Sequence, residues 1–203
     1  IYIRSRVDTW SLESMFSTTI NVDVMDIDVD SDMHLHCIYT QPNAGTELMY
    51  GTTASGVFVA EQIDYIDQAG IPVPSVSVAV DENNEPHFAW VDQSDEQVKY
   101  ATRTGSYTFD IETVSTATSC NWVKLEMTGP EHPVIGFNQA LPGPSWQLNI
   151  ALGSPGGFYV TDVANTSFEI EAVDLAVATD EGPATSNIYF VYSNAEILYH
   201  VYY

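Results

Sequence analysis

The feature that most restricts this chain is a repeat of about 49 residues. The segments "IYIRSRVDTWSLE", "LMYGTTASGVFVAE", "VKYATRTGSYTFDIE" and "LNIALGSPGGFYVTD" follow one pattern, anchored at Tyr2, Tyr50, Tyr100 and Ile150. A fifth anchor, Tyr199, lies in "ILYHVYY", and the successive spacings are 48, 50, 50 and 49 residues. A second aromatic follows each of the first four anchors (Trp10, Phe58, Tyr107, Phe158), and an acidic residue follows that (Glu13, Glu61, Asp110, Asp162). Self-similarity at such a period means one supersecondary unit stacked on copies of itself.

Between the anchors lie two further apolar runs per repeat. The first set reads "VMDIDVD", "VSVAVD", "WVKLEM" and "VDLAVATD"; the second reads "HLHCIYT", "PHFAWVD", "PVIGFN" and "NIYFVYS". Runs of five to seven residues that alternate or stay apolar, bounded by Gly, Pro, Asn and Asp, are strands. No window has helical periodicity. Four short antiparallel strands per repeat predict an all-β chain of β-propeller blades. Residues 1–20 supply strands three and four of one blade; 21–66, 72–116 and 121–165 are full blades; 168–203 supply strands one to three of another. Because both ends contribute a third strand, the expectation is a segment of a larger propeller, with a compact four-bladed ring as the alternative. The unpaired terminal strands would then be able to self-associate.

The order Asp, turn, His, apolar, aromatic, then Leu-x-Tyr, then Gly-x-aromatic resembles the bacterial and archaeal propeller repeats of the sialidase-like and lectin-like group. The resemblance covers nearly the whole chain and implies fold more than function. The Asp-box pattern Ser-x-Asp-x-Gly-x-Thr-Trp of sialidases is missing. The chain has three arginines, the number sialidases use to clamp a carboxylate, but Arg4, Arg6 and Arg103 share no motif.

Charge narrows the partners. Twenty-eight acidic residues face five basic ones, a formal net charge of −23. Nucleic-acid binding needs Lys and Arg to displace condensed counterions, so it is not expected. Cations, basic partners or a salty medium suit such a surface. No run of about 18 apolar residues suggests a membrane span. The chain has no basic-then-apolar leader and does not begin with Met, as expected of a mature or excised segment. Cys37 and Cys120 have no spacing that demands a disulfide, and Asn165-Thr166-Ser167 is a glycosylation sequon in an expected loop.

Four candidate sites follow. His36 and His87 occupy one frame, six residues after Asp30 and Asp81, and read as structural imidazoles bonded to those carboxylates. Asp26, Asp28 and Asp30 alternate with apolar residues on one strand face. The next blades have Ser77 and Ala79, Lys124 and Glu126, then Ala176 and Ala178 at the first two positions. Carboxylates about 7 Å apart repel, so the trio either lines a wet central channel or holds a hard cation such as Ca²⁺. The EF-hand pattern fails, with Ser31 at its glycine and Cys37 at its twelfth position. In the loops between second and third strands, Trp146 is either a lid or a binding platform, and Asp92 and Asp95 are candidate ligand contacts. No catalytic residue is assigned. The resulting expectation is a non-enzymatic extracellular or surface propeller that binds a glycan or a protein, with a glycoside-active enzyme of the sialidase-like group as the alternative.

Overall fold

The computed structural model describes residues 2–6, 10–14, 22–42, 46–66, 75–154, 156–170, 172–179, 186–193 and 198–202. All regular elements among them are strands. β1 (Tyr2–Arg6) and β2 (Trp10–Ser14) form a hairpin. The first complete blade contains β3 (Met25–Val29), β4 (Leu35–Pro42), β5 (Thr46–Thr52) and β6 (Val59–Ile66). The second contains β7 (Val76–Val80), β8 (Pro86–Asp92), β9 (Gln97–Gly105) and β10 (Thr108–Thr116). The third contains β11 (Val123–Met127), β12 (Pro133–Ala140), β13 (Trp146–Ser154) and β14 (Gly157–Thr166). A fourth sheet holds β15 (Ala172–Thr179), β16 (Ser186–Ser193) and β17 (Leu198–Tyr202). Each sheet is an antiparallel meander in chain order, the blade expected from the repeat. No helix among the described residues is long and apolar enough to cross a membrane.

The blades stack through their inner strands, β3 against β7, β7 against β11 and β11 against β15. Every joint buries one apolar layer. The first joins Ile38, Leu48, Tyr50 and Ile63 to Val76, Val78, Phe88 and Trp90. The second joins Val91, Tyr100 and Val114 to Val123, Leu125 and Phe137. The third joins Leu148 and Ile150 to Leu175, Ile188 and Phe190. Blades that present both faces to neighbours need continuous apolar strands, and β8 is accordingly buried along its whole length. At Gly51 an added Cβ would lie 2.3 Å from Cζ of Phe58, so the ring occupies the space of the missing side chain.

Register bears out the inner-strand equivalences: Asp26, Ser77, Lys124 and Ala176 face Ile38, Ala89, Gly136 and Tyr189. Three details differ from the sequence reading. Tyr107 sits in a two-residue turn at φ 59° and is 68% exposed, while Phe109, two residues on, packs against Tyr50 and Phe88. By the same shift of two, Glu112 and not Asp110 stands at the register of Glu61, each opposite its anchor tyrosine. In the last sheet, Tyr202 and not Tyr199 takes the anchor register. The side chains of Trp10, Arg4 and Arg6 lie outside the described residues. Both cysteines are free and buried, and Asn165 of the sequon lies on β14, not in a loop.

Candidate functional site

Along the axis, side chains of one inner strand bond the backbone of the next. Asp26 Oδ2 accepts from Ser77 Oγ at 2.8 Å and from the Val78 amide at 3.2 Å. Asp28 Oδ2 accepts from the Val80 amide at 2.8 Å. One joint further, Ser75 and Ser77 hydroxyls accept from the Val123 and Leu125 amides, both at 3.1 Å. Lys124 then reaches across from the third blade to Asp26 Oδ2 at 3.2 Å. Asp26 and Asp28 therefore do turn toward the axis. Burial pushes the Glu126 carboxyl upward, and the carboxylates of Asp28, Asp174 and Asp26 add to this against the pull of Lys124. Substituting Asp28→Ala should cost about 1 kcal/mol by leaving the Val80 amide without its charged acceptor, measurable as a lower urea midpoint at unchanged slope.

Asp30 points elsewhere. It is buried and accepts from the His34 amide at 2.7 Å, His34 Nδ1 at 2.9 Å and His36 Nε2 at 3.2 Å. Burial opposes its ionisation, but the bonds from His34 and His36 outweigh this and hold it at about 2. The trio Asp26, Asp28 and Asp30 is thus divided between amide donors and imidazoles. No group of three or more His, Cys, Asp or Glu among the described residues is arranged to hold a metal ion.

The paired histidines are built into networks. Tyr50 hydroxyl lies 2.8 Å from His36 Nδ1, and Tyr100 hydroxyl lies 2.5 Å from His87 Nδ1. Burial pushes the Tyr50 phenol up to about 12 and that of Tyr100 up as well, so each phenol keeps its proton and donates it to Nδ1. That leaves Nε2 as the N–H of each ring. In the first blade it reaches Asp30; in the second, Asp81 Oδ2 is 3.7 Å away, beyond hydrogen-bond length.

These networks line clefts between neighbouring blades. The first cleft, about 600 Å³, lies between the first and second blades and includes His34, His36, Tyr50, Glu61, Arg103 and Tyr107. The second, about 490 Å³, lies between the second and third and includes His87, Tyr100, Asp110, Glu112, Glu131 and Phe158. A third of about 380 Å³ is lined by Thr128, His132, Val134, Leu152 and Ile188. All three open where strand one turns into strand two and strand three into strand four. Strand-level periodicity does not reveal this, because a cleft depends on which side chains a joint leaves small.

The sequence-derived ligand residues lie on the opposite edge of the blades, and none lines these clefts. Asp92 is 2% exposed, and its oxygens are taken by Lys99 Nζ at 2.6 Å and by the amide and hydroxyl of Ser94. Burial works against its charge, but Lys99 and Ser94 hold it below the usual carboxylate range. Asp95 and Asp64 also bond or flank Lys99, at 3.3 and 3.7 Å. Trp146 is half-buried and packs against the third apolar layer.

The first cleft is closed by an ion pair that crosses the joint. Arg103 of β9 grips Glu61 of β6 through Nη2 at 2.7 Å and Nε at 3.0 Å, and the Tyr107 amide adds a bond at 3.1 Å. Arg103 is therefore committed within the fold. No protein-family model matches the chain, and no curated protein matches it.

Proposed function

We propose that the chain is a binding propeller, extracellular or surface-exposed, whose ligand face is the edge carrying the strand 1–2 and strand 3–4 turns and whose partner is a protein segment rich in basic side chains. The observation that carries this reading is the lining of the second cleft, where Asp110, Glu112 and Glu131 stand without any Lys or Arg. A formal charge of −23 favours the same partner, because an acidic field concentrates cations and repels anionic ligands. Repetition of the His-Tyr bond in two consecutive blades supports a structural role for it, since one reaction centre has no use for two copies. A sialidase-like activity would need a free arginine to clamp its substrate carboxylate, and among the arginines whose side chains are described, Arg103 is held by Glu61.

The test is amide chemical-shift mapping with an arginine-rich octapeptide in low salt. Shifts should concentrate at 81–85, 105–112, 128–132 and 153–158 and fade as salt rises. Shifts confined to the opposite turns, 93–96 and 141–145, would remove the proposal. Strong signal from neutral sugars on a glycan array, with none from the peptide, would replace it with a lectin reading.

A further inference from the structure

The two larger clefts are versions of one another, and comparing them residue by residue exposes a difference. Tyr50 and Tyr100 hold the same register, as do Glu61 and Glu112 opposite them. In the first cleft the next blade supplies Arg103, which neutralises Glu61 and lies 5.9 Å from the Tyr50 ring centroid. Thr102 and Leu152 are equivalent through their partners His87 and Val134, so the position after them, Arg103 in the second blade, is Gly153 in the third. The second cleft thus keeps the acid and the phenol of the first but has no guanidinium between them.

Two observations set the second cleft apart from the first. Glu112 is pushed above the usual carboxylate range, by burial first and by Asp110 second, whereas Glu61 is lowered, chiefly by its bonds to Arg103. Independently, His87 lines the cleft with its side chain 6% exposed, and its Nε2, turned toward Asp81, has no hydrogen-bond partner. Its counterpart His36 Nε2 is satisfied by Asp30. Asp81 Oδ2 stands 3.7 Å from His87 Nε2, and its Oδ1 caps the amides of Asn83 and Glu85.

We infer that the second cleft binds an arginine side chain of the partner, its guanidinium replacing Arg103 against Glu112 and Asp110. Arginine fits better than lysine because a planar fork matches a carboxylate through two donors and tolerates an aromatic neighbour. Phe158, edge-on to Tyr100 at 5.3 Å, and Pro133 give its methylene stem an apolar wall.

This inference rests on the basic-partner reading, and the test separates the two. N-acetyl-arginine methylamide is titrated into the protein by calorimetry, with the uncharged citrulline analogue as the control. One site per chain is expected, at least tenfold weaker for citrulline and at least tenfold weaker in E112Q, a substitution at an exposed position. Binding to E112Q equal to wild type, or equal binding of citrulline, overturns the assignment. If the octapeptide still shifts the ligand face while E112Q is indifferent, only the cleft assignment fails. If neither peptide nor amide binds, both readings fall.

Discussion

Replacing Phe88 by alanine is expected to remove about 3–5 kcal/mol of stability. At a few degrees per kcal/mol for a chain of this size, that is a fall in Tm of about 10 °C. Phe88 is fully buried, with ring centroids 5.0 Å from Tyr50 and 5.8 Å from Phe109. It therefore belongs to the joint between the first two blades, and its loss leaves a cavity that two flanking sheets cannot both close. Tyr107, the aromatic that the repeat pattern marks out, is the contrast. At 68% exposure in a turn, Tyr107→Ala should change stability by less than about 0.5 kcal/mol. Urea unfolding of the two variants checks both halves. A neutral Phe88→Ala would show that the blades are not held together by their apolar layers.

Glu61→Gln is expected to cost about 2–3 kcal/mol. The side chain is 6% exposed, and its removal leaves a guanidinium that is itself 28% exposed. Partial access of water to Arg103 keeps the loss below the roughly 3–5 kcal/mol of a fully buried pair. The pH dependence follows from the direction of the shift. Arg103 lowers the carboxyl of Glu61 in the folded state, so the folded chain binds its proton less tightly than the unfolded chain does. The stabilisation is present above the unfolded value, about 4.3, and is lost as pH falls through the folded one. Wild type and Glu61→Gln should therefore differ fully at pH 7 and converge only as pH falls through the lowered folded value. A constant difference across that range would mean that the pair acts by packing and not by charge.

Much of this architecture was legible in the residues because propeller strands are short, their turns are marked by Gly, Pro, Asn and Asp, and the repeat gives several chances to see each. The bond from His36 to Asp30 and the inner-strand equivalents of Asp26 and Asp28 follow from frame alone, whereas the same frame places His87 3.7 Å from Asp81, short of a bond. The misplaced features share one cause. Alternation along a strand is unchanged by a shift of two, so Tyr107 and Phe109, or Asp110 and Glu112, look alike until a turn residue fixes the register. Tyr199 is the exception: it stands three residues before Tyr202, which takes the anchor register. The site was harder still, since the informative residue of the second cleft is Gly153, whose meaning comes only from the arginine at the same place one blade earlier.

The axial bonds between blades have a further consequence for how such a chain can grow and diverge. In four of them the acceptor is a side chain, Asp26, Asp28, Ser75 or Ser77, and the donor on the following blade is a main-chain amide. An amide is present whatever residue occupies that position, proline apart. A duplicated repeat therefore arrives already able to be held by its predecessor, and only one side of the bond has to be inherited intact. That asymmetry lets aspartate and serine alternate as acceptors from blade to blade while the inner strands they hold drift freely in sequence.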